Sequence, residues 1–261
     1  GTMWGYKKQG IFSYDESNAF TPGGTQLTPV FDERDRFLKY QLNGQDYTGE
    51  IVNLKYNGKN GALFKGGDVI WEDLNKDGVI DVNDQQVIGN GQPDFIGGFN
   101  NDITYKNLTL TAFFNYSFGN DIYNKGKAGD NSFGVSSLTR PNPLVLQHAW
   151  TAPGDMAEYP RPQGGIAGVQ NTRNESSMWI EDGSFIRLKT LKLNYQMPNA
   201  WSKKIHVKNI NVFAALNNFF TWTNYTGFDP EIGAGGIFAT GYDGTTYPRT
   251  KEVLFGINVN L

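Results

Sequence analysis

The residues best suited to chemistry in this sequence lie at 73–84, where oxygen-bearing side chains recur at the spacing of a calcium-binding loop. A calcium ion takes about six to eight oxygen ligands at roughly 2.3–2.6 Å. Gly78 stands at the sixth position of the loop, where the backbone must turn with a positive φ. The predicted calcium ligands are the side chains of Asp73, Asn75, Asp77, Asp81 and Asp84 and the carbonyl oxygen of Val79. The alternative is a turn without a metal, because Asn, Asp and Gly dominate turns in general.

Catalytic arrangements are not indicated elsewhere. The sequence has no cysteine, which excludes a cysteine nucleophile, a thiolate zinc site and a disulfide framework. Its two histidines, His148 and His206, lie on different connections, so no Ser/His/Asp arrangement is signalled. Glu181 and Asp182 are adjacent, and adjacent side chains of an extended segment point to opposite sides. We therefore predict that the protein is not an enzyme.

The composition favours a β protein. Aromatic residues make up 14% of the chain, and 32 glycines accompany many Asn and Thr residues, which is typical of turn-rich β structure. No apolar run is long enough for a transmembrane helix, whereas a membrane-crossing strand is apolar only at every second residue. The formal net charge is −3 without a basic stripe, so a nucleic-acid partner is not predicted.

Alternation of apolar and polar residues predicts a series of strands near the carboxy-terminal end. In the last one, Phe255, Ile257 and Val259 alternate with glycine and asparagine. The predicted strands are 94–105, 107–116, 184–197, 209–223 and 252–261. In the strand 184–197 the apolar positions change parity, which predicts a β-bulge near Thr190.

Periodicity alone leaves two architectures open: a transmembrane β-barrel and a soluble β-sandwich. The connections favour the barrel. Short or moderate connections at 106–107 and 198–208 alternate with long, irregular ones at 117–183 and 224–251. Outer-membrane barrels have this asymmetry, with short periplasmic turns and long outer loops. A compact soluble domain rarely carries so long a loop.

A series of motifs in one order resembles the SusC/RagA-type TonB-linked outer-membrane receptors. The resemblance covers most of the chain but leaves out 20–66, which we interpret as a family-variable extracellular insertion. The motifs are GYK (5–7), GIF (10–12), GDVIWEDLNKDGVID (67–81), VIGN (87–90), PDF (93–95), GFNN (98–101), FGNDIYN (118–124), WTAP (150–153), YPR (159–161), EDGSFIRLK (181–189), LNNFFTWT (216–223), YTGFDPE (225–231) and YPRT (247–250).

The resemblance implies an all-β fold: the carboxy-terminal segment of a large antiparallel transmembrane β-barrel with long extracellular loops. Residues 1–93 would form an extracellular region that contains the insertion and the calcium loop, and 94–261 would supply the last barrel strands. Leu261 would lie at the periplasmic end, so the calcium loop would lie outside the cell. A weak site of the extracellular type, with a Kd of about 10⁻⁴–10⁻³ M, would still fill there, and Asp84 in place of the longer, usual Glu also predicts weaker binding.

The function implied by the resemblance is import of oligosaccharides or peptides across the outer membrane of a Gram-negative, Bacteroidetes-like bacterium. The implied partners are TonB, a SusD-like surface lipoprotein, the remainder of the same barrel and outer-membrane lipid. The alternative is a secreted, soluble β-domain with a structural calcium site that binds glycans or another protein. Aromatic residues of the loops could stack on sugar rings or simply pack; these are Trp150, Trp179, Tyr242 and Tyr247.

Overall fold

The computed structural model of the chain describes residues 1–57, 61–130, 147–162, 173, 175–204, 206–231, 240–244 and 247–260. Contacts divide the chain into two compact units. We call the first, which comprises Gly1, Asn90–Asn124 and Glu181–Leu261, the sheet unit. The second, which comprises Thr2–Gly89 and Lys125–Ile180, is the core unit. Strands dominate both, and the predicted all-β class is confirmed.

The regular elements are mostly short outside the sheet unit. In chain order the strands are β1 (Thr2–Gly5), β2 (Lys8–Ile11), β3 (Thr28–Phe31), β4 (Phe37–Leu42), β5 (Gln45–Tyr47), β6 (Lys55–Tyr56), β7 (Val69–Trp71), β8 (Val79–Ile80), β9 (Gln86–Asn90), β10 (Phe95–Tyr105), β11 (Leu108–Phe118), β12 (Asp121–Asn124), β13 (Ile180–Asp182), β14 (Phe185–Gln196), β15 (Asn209–Thr223), β16 (Tyr242–Asp243) and β17 (Glu252–Asn260). The helices are α1 (Lys125–Asp130) and α2 (Asn199–Lys204), with 3-10 turns at Asp15–Ser17, Val82–Asp84 and Ser177–Trp179. No helix among the described residues has both the length and the apolar character needed to cross a membrane.

The sheet unit is built on an antiparallel sheet in the order β10-β11-β14-β15-β17. All the strands predicted near the carboxy-terminal end are present, with ends that differ from the prediction by one or two residues at most. The predicted last residue of the final strand, Leu261, lies outside the described residues. The tight hairpin predicted at 106–107 is confirmed, because Tyr105 pairs with Leu108.

Strand pairing also fixes the two ends of this sheet. The pairs Tyr105–Leu108 and Asn209–Asn260 lie at the end with the short connections. The pair Phe95–Phe118 lies at the opposite end, from which the two long connections leave. The moderate connection between β14 and β15 contains the short helix α2.

The predicted β-bulge in β14 is confirmed. Leu188 pairs with Phe114, and Thr190 pairs with Phe113, so Lys189 is the extra residue. The partner strand β15 is irregular at the same level, and its Asn218 has a φ of 58°. An irregularity in β15 was not predicted.

The long connections contain regular structure and are not wholly irregular as predicted. Within the described residues, β12 pairs with β16 in parallel, and with β13 they form a small three-stranded sheet in the order β13-β12-β16. The connections also include 131–146, 163–172 and 232–239, which lie outside the described residues. Such strands of two to four residues carry too few positions for alternation to reveal them.

The core unit buries its own hydrophobic cluster. Its sheets pair β1 with β9, β2 with β7, β6 with β8, β3 with β4, and β4 with β5. The cluster comprises Tyr6, Phe12, Phe20, Leu54, Tyr56, Phe64, Val69, Ile70, Trp71 and Ile80. Because Phe20, Leu54, Tyr56 and Phe64 come from the 20–66 stretch, that stretch is an integral part of the core unit.

Candidate functional site

The 73–84 loop follows β7 closely in the chain and ends with the 3-10 turn Val82–Asp84. Lys76 and Gly78 have positive φ angles of 60° and 76°, so the conformation predicted for Gly78 is confirmed. The Gly78 N–H donates to Asp73 Oδ2 at 2.8 Å, and the Lys76 N–H donates to Asp73 Oδ1 at 2.7 Å. Asp73 therefore holds the first half of the loop through backbone bonds.

The remaining predicted ligands are oriented in the same way. Asn75 Oδ1 accepts from the Asp77 N–H at 3.1 Å, and Asp77 Oδ1 accepts from the Val79 N–H at 2.7 Å. Asp81 Oδ1 accepts from the Asn83 N–H at 2.8 Å. A carboxylate offers about four acceptor positions, so one or two such bonds leave lone pairs for a cation.

Asp84 is the last of the predicted ligands in the loop. Its side chain is fully buried and accepts from the Leu74 N–H at 2.9 Å and the Asp81 N–H at 2.7 Å. Burial raises the pKa of the Asp84 carboxyl above its usual range, and the negative charges of Asp73 and Asp81 contribute in the same direction. A cation bound in the loop would offset the negative charges of Asp73 and Asp81 near Asp84.

The fit to calcium depends on more than carboxylates. Among the described residues, no three His, Cys, Asp or Glu side chains form a group that could hold a metal ion. An ion at 73–84 would therefore need the amide oxygen of Asn75 and the carbonyl oxygen of Val79, as the EF-hand spacing requires.

The large sheet has one apolar and one polar face, because directly paired residues point to the same side. The apolar face is exposed: 80% of Phe255, 66% of Ile257 and 65% of Ile103 is accessible to solvent. Aromatic residues stack across this face, with the rings of Phe99 and Phe114 4.8 Å apart. The apolar residues of this face are Phe95, Phe99, Ile103, Tyr105, Leu108, Leu110, Ala112, Phe114, Tyr116, Phe118, Ile186, Leu188, Leu191, Leu193, Tyr195, Ile210, Val212, Ala214, Leu216, Phe220, Trp222, Val253, Phe255, Ile257 and Val259.

The polar face carries a cluster of charges at the end of the sheet from which the long connections leave. Arg187, which is 3% exposed, contacts Asp229 and Glu231. Lys189 and Arg249 also reach Glu231, at 3.0 Å and 3.2 Å. We call these residues, Arg187, Lys189, Asp229, Glu231 and Arg249, the charged cluster.

Sequence reasoning missed the charged cluster. A signal was present, because its members come from three of the motif strings, 181–189, 225–231 and 247–250. Strand alternation gives no information about which charges of distant connections meet.

The loop aromatics behave differently from one another. Trp179 is 1% exposed and donates from Nε1 to the Arg173 carbonyl at 3.0 Å, so it packs and cannot stack on a ligand in this conformation. Trp150 is partly buried and donates to the Ser13 carbonyl at 3.2 Å. Tyr242 lies parallel to Tyr123, with ring centroids 5.6 Å apart. Tyr247 is 83% exposed.

Comparisons with known proteins agree with this architecture. No protein-family model matches the chain. The chain is 39% identical over 267 residues to TonB-dependent receptor P39 of Formosa agariphila, which covers 99% of this chain and 25% of that protein. It is 25% identical over 256 residues to TonB-dependent receptor SusC of Bacteroides thetaiotaomicron, which covers 94% of this chain and 22% of that protein.

The fold is similar to that of a solved structure, the RagAB peptide transporter. The TM-score is 0.63 at 20% sequence identity, over 100% of this chain and 23% of the matched chain. The chain thus spans about a quarter of the length of the relatives that it matches.

Proposed function

Because the chain belongs to the SusC/RagA-type TonB-dependent receptors, we propose that its large sheet forms part of the wall of an outer-membrane importer. The exposed apolar face of this sheet carries the proposal. A soluble protein rarely exposes a contiguous apolar patch of more than a few hundred Å², whereas the outer surface of a membrane barrel is apolar and its interior polar. The apolar face would contact lipid, and the polar face would line the path of the solute.

The proposed substrate is an oligosaccharide or a peptide, and the proposed partners are TonB and a SusD-like lipoprotein. Support for a peptide comes from the RagAB structure, which is described as that of a peptide transporter. The long connections leave one end of the sheet and would form the outer mouth, because outer-membrane barrels carry their long loops outside the cell. The outer membrane of a Gram-negative bacterium is the proposed location.

The wall assignment is tested by placing the same charge on the two faces of β17 in the full-length receptor. Phe255→Lys puts an ammonium group on the apolar face, and Leu254→Lys makes a matched change on the polar face. A lysine on the lipid side of a barrel costs about 2–4 kcal/mol near the middle of the membrane. We expect Phe255→Lys to reduce the amount of receptor assembled in outer membranes and Leu254→Lys to assemble normally. Equal assembly of the two variants would contradict the wall assignment.

We further propose that the 73–84 loop binds calcium as a structural clip. Three observations support this proposal: the EF-hand spacing, the positive φ of Gly78, and the burial of the Asp84 carboxylate near the negative charges of Asp73 and Asp81. The ligands would be Asp73, Asn75, Asp77, Val79, Asp81 and Asp84, and the ion would order the loop rather than take part in transport.

Protease sensitivity of residues 60–93 in the full-length receptor tests the clip. In wild type, we expect a chelator to accelerate cleavage in this region and millimolar calcium to slow it. Asp73→Ala combined with Asp77→Ala should cleave at the faster rate whether or not the chelator is present. Glu50→Ala, which removes an exposed carboxylate outside the loop, is the control. A chelator without effect on the wild-type protein would exclude the clip.

A further inference from the structure

The charged cluster connects three segments of the sheet unit that are far apart in sequence. Arg187 lies in β14, Asp229 and Glu231 follow β15, and Arg249 precedes β17. The guanidinium of Arg187 uses each of its nitrogens: Nε donates to Thr221 Oγ1 at 2.9 Å, Nη1 to Glu231 Oε2 at 2.8 Å, and Nη2 to Asp229 Oδ1. A planar fork satisfied in this way fixes the positions of both carboxylates.

Asp229 ties the backbone as well as Arg187. Its side chain accepts from the N–H of Glu231 at 2.9 Å and from the N–H of Arg249 at 3.2 Å. Burial by itself would raise the pKa of the Asp229 carboxyl, but the hydrogen bonds from Arg187, Glu231 and Arg249 hold it below its usual range. Asp229 therefore stays ionised, and the bonds that depend on its charge persist.

Glu231 is the second anchor. Its carboxylate contacts three cations, with Arg187 at 2.8 Å, Lys189 at 3.0 Å and Arg249 at 3.2 Å. Exposed ion pairs contribute about 0–1 kcal/mol each, but this network is centred on an arginine that is almost fully buried. Removing one partner of a buried pair leaves an uncompensated charge, so the loss is much larger than for a surface pair.

The same connection is held at further points. The backbone N–H and the hydroxyl of Thr226 both donate to the Glu181 carboxylate at 2.8 Å. The hydroxyl of Tyr225 donates to Asp243 Oδ2 at 2.5 Å. The start of the connection after β15 is thus folded back onto the sheet unit rather than projecting from it.

We propose that the charged cluster is a latch that keeps residues 225–231 folded over the polar face of the sheet, at the end from which the long connections leave. The latch goes beyond the proposed transport function, because it concerns which part of the polar face this connection covers. Releasing it would free the connection while the strands beneath stay paired.

Chymotrypsin cleavage after Phe228 in the full-length receptor tests the latch. The side chain of Phe228 is 77% exposed, but a protease must draw several flanking residues into its cleft, so the cleavage rate reports how often the segment leaves the sheet. Arg187→Ala is expected to accelerate cleavage at least about tenfold, because Asp229 then loses its cation while buried.

Two controls show whether the effect is confined to the charged cluster. Lys192→Ala removes a cation from the same strand and the same face; its ammonium lies over the Phe213 ring and outside the latch, so cleavage should stay within about twofold of wild type. Cleavage after Phe37, in the core unit, should be unchanged in every variant.

An Arg187→Ala variant cleaved at the wild-type rate would overturn the latch, as would an equal acceleration at Phe37. If Arg187→Ala does not assemble, Glu231→Gln decides, because it keeps the shape of the side chain but weakens three cation contacts. About threefold faster cleavage supports the latch, and an unchanged rate refutes it. Cleavage can be measured without transport. If a variant of the charged cluster imports substrate and is cleaved after Phe228 at the wild-type rate, this result contradicts the latch but not the proposed transport function.

Discussion

The sheet unit and the core unit treat apolar side chains in opposite ways. In the core unit Phe12 and Trp71 are 0% and 1% exposed, whereas in the sheet unit Phe255 and Ile257 are 80% and 66% exposed. Both arrangements occur in strand-rich units of one chain. A high content of strands therefore does not determine whether the apolar side chains of a unit are enclosed or left on its surface.

A second contrast concerns one buried aspartate in each unit. Asp68 in the core unit accepts from Arg161 Nε at 3.0 Å and from the Tyr56 hydroxyl at 3.1 Å. Burial nevertheless raises its pKa, whereas the pKa of Asp229 in the sheet unit is lowered. Asp229 differs in that its arginine partner is itself almost fully buried, while the side chain of Arg161 is 31% exposed. A cation that water already solvates compensates a buried carboxylate less completely.

The largest expected effect comes from opening the core of the core unit. Phe12→Ala removes a fully buried ring that contacts Phe20 and Phe64 at centroid distances of 6.3 and 6.4 Å. Such a change costs about 3–5 kcal/mol. We expect hydrogen exchange in the full-length receptor to accelerate throughout the strands of the core unit and to stay slow in β11 and β14. Phe99→Ala, on the exposed face of the sheet, is the control and should leave the core unit protected. Equal loss of protection in both units would show that they do not behave as separate packing units.

A smaller effect is expected from pH, with opposite signs for the two aspartates. The folded pKa of Asp229 is below its unfolded value, so its contribution is present above about pH 4 and is lost as the pH falls through the folded pKa. The folded pKa of Asp68 is above its unfolded value, so stability of the core unit falls as the pH rises from about 4 to the folded pKa. Each pKa unit of displacement corresponds to about 1.4 kcal/mol.

Hydrogen exchange measured between about pH 3 and pH 7, corrected for intrinsic rates, separates the two aspartates. In the wild-type protein, Asp68 makes the core unit more protected from exchange at lower pH. Asp68→Asn should remove this contribution. Asp229→Asn should remove the loss of protection near the latch at the acidic end. The same sign of change in both variants would contradict the contrast between them.

Strand positions were predictable because the sheet repeats a simple rule over many residues. The ends of β15, Asn209 and Thr223, and the bulge at Lys189 follow from where apolar residues alternate and where their parity changes. The turn at Gly78 was predictable because its loop has a fixed register. In each case the information is local in the sequence.

The unpredicted features depend on contacts between distant residues. The core unit joins Phe20 and Trp71 through packing that no periodicity encodes, and β12 meets β16 across more than a hundred residues. The charged cluster likewise requires Arg187 and Asp229 to meet, although the types of both residues are visible in the sequence. Calcium binding by the 73–84 loop stays a prediction.

The extra residue Lys189 has a consequence for how β14 can change over evolutionary time. Above it, odd-numbered residues such as Arg187 point to the polar face, and below it, odd-numbered residues such as Leu191 point to the apolar face. Deleting Lys189 would make Leu188 and Thr190 neighbours, opposite the neighbours Phe114 and Phe113, so Arg187 and Leu191 would keep their present faces. A single deletion is therefore expected to be tolerated at the bulge, whereas a single deletion elsewhere in β14 would turn the side chains on one side of it to the opposite face.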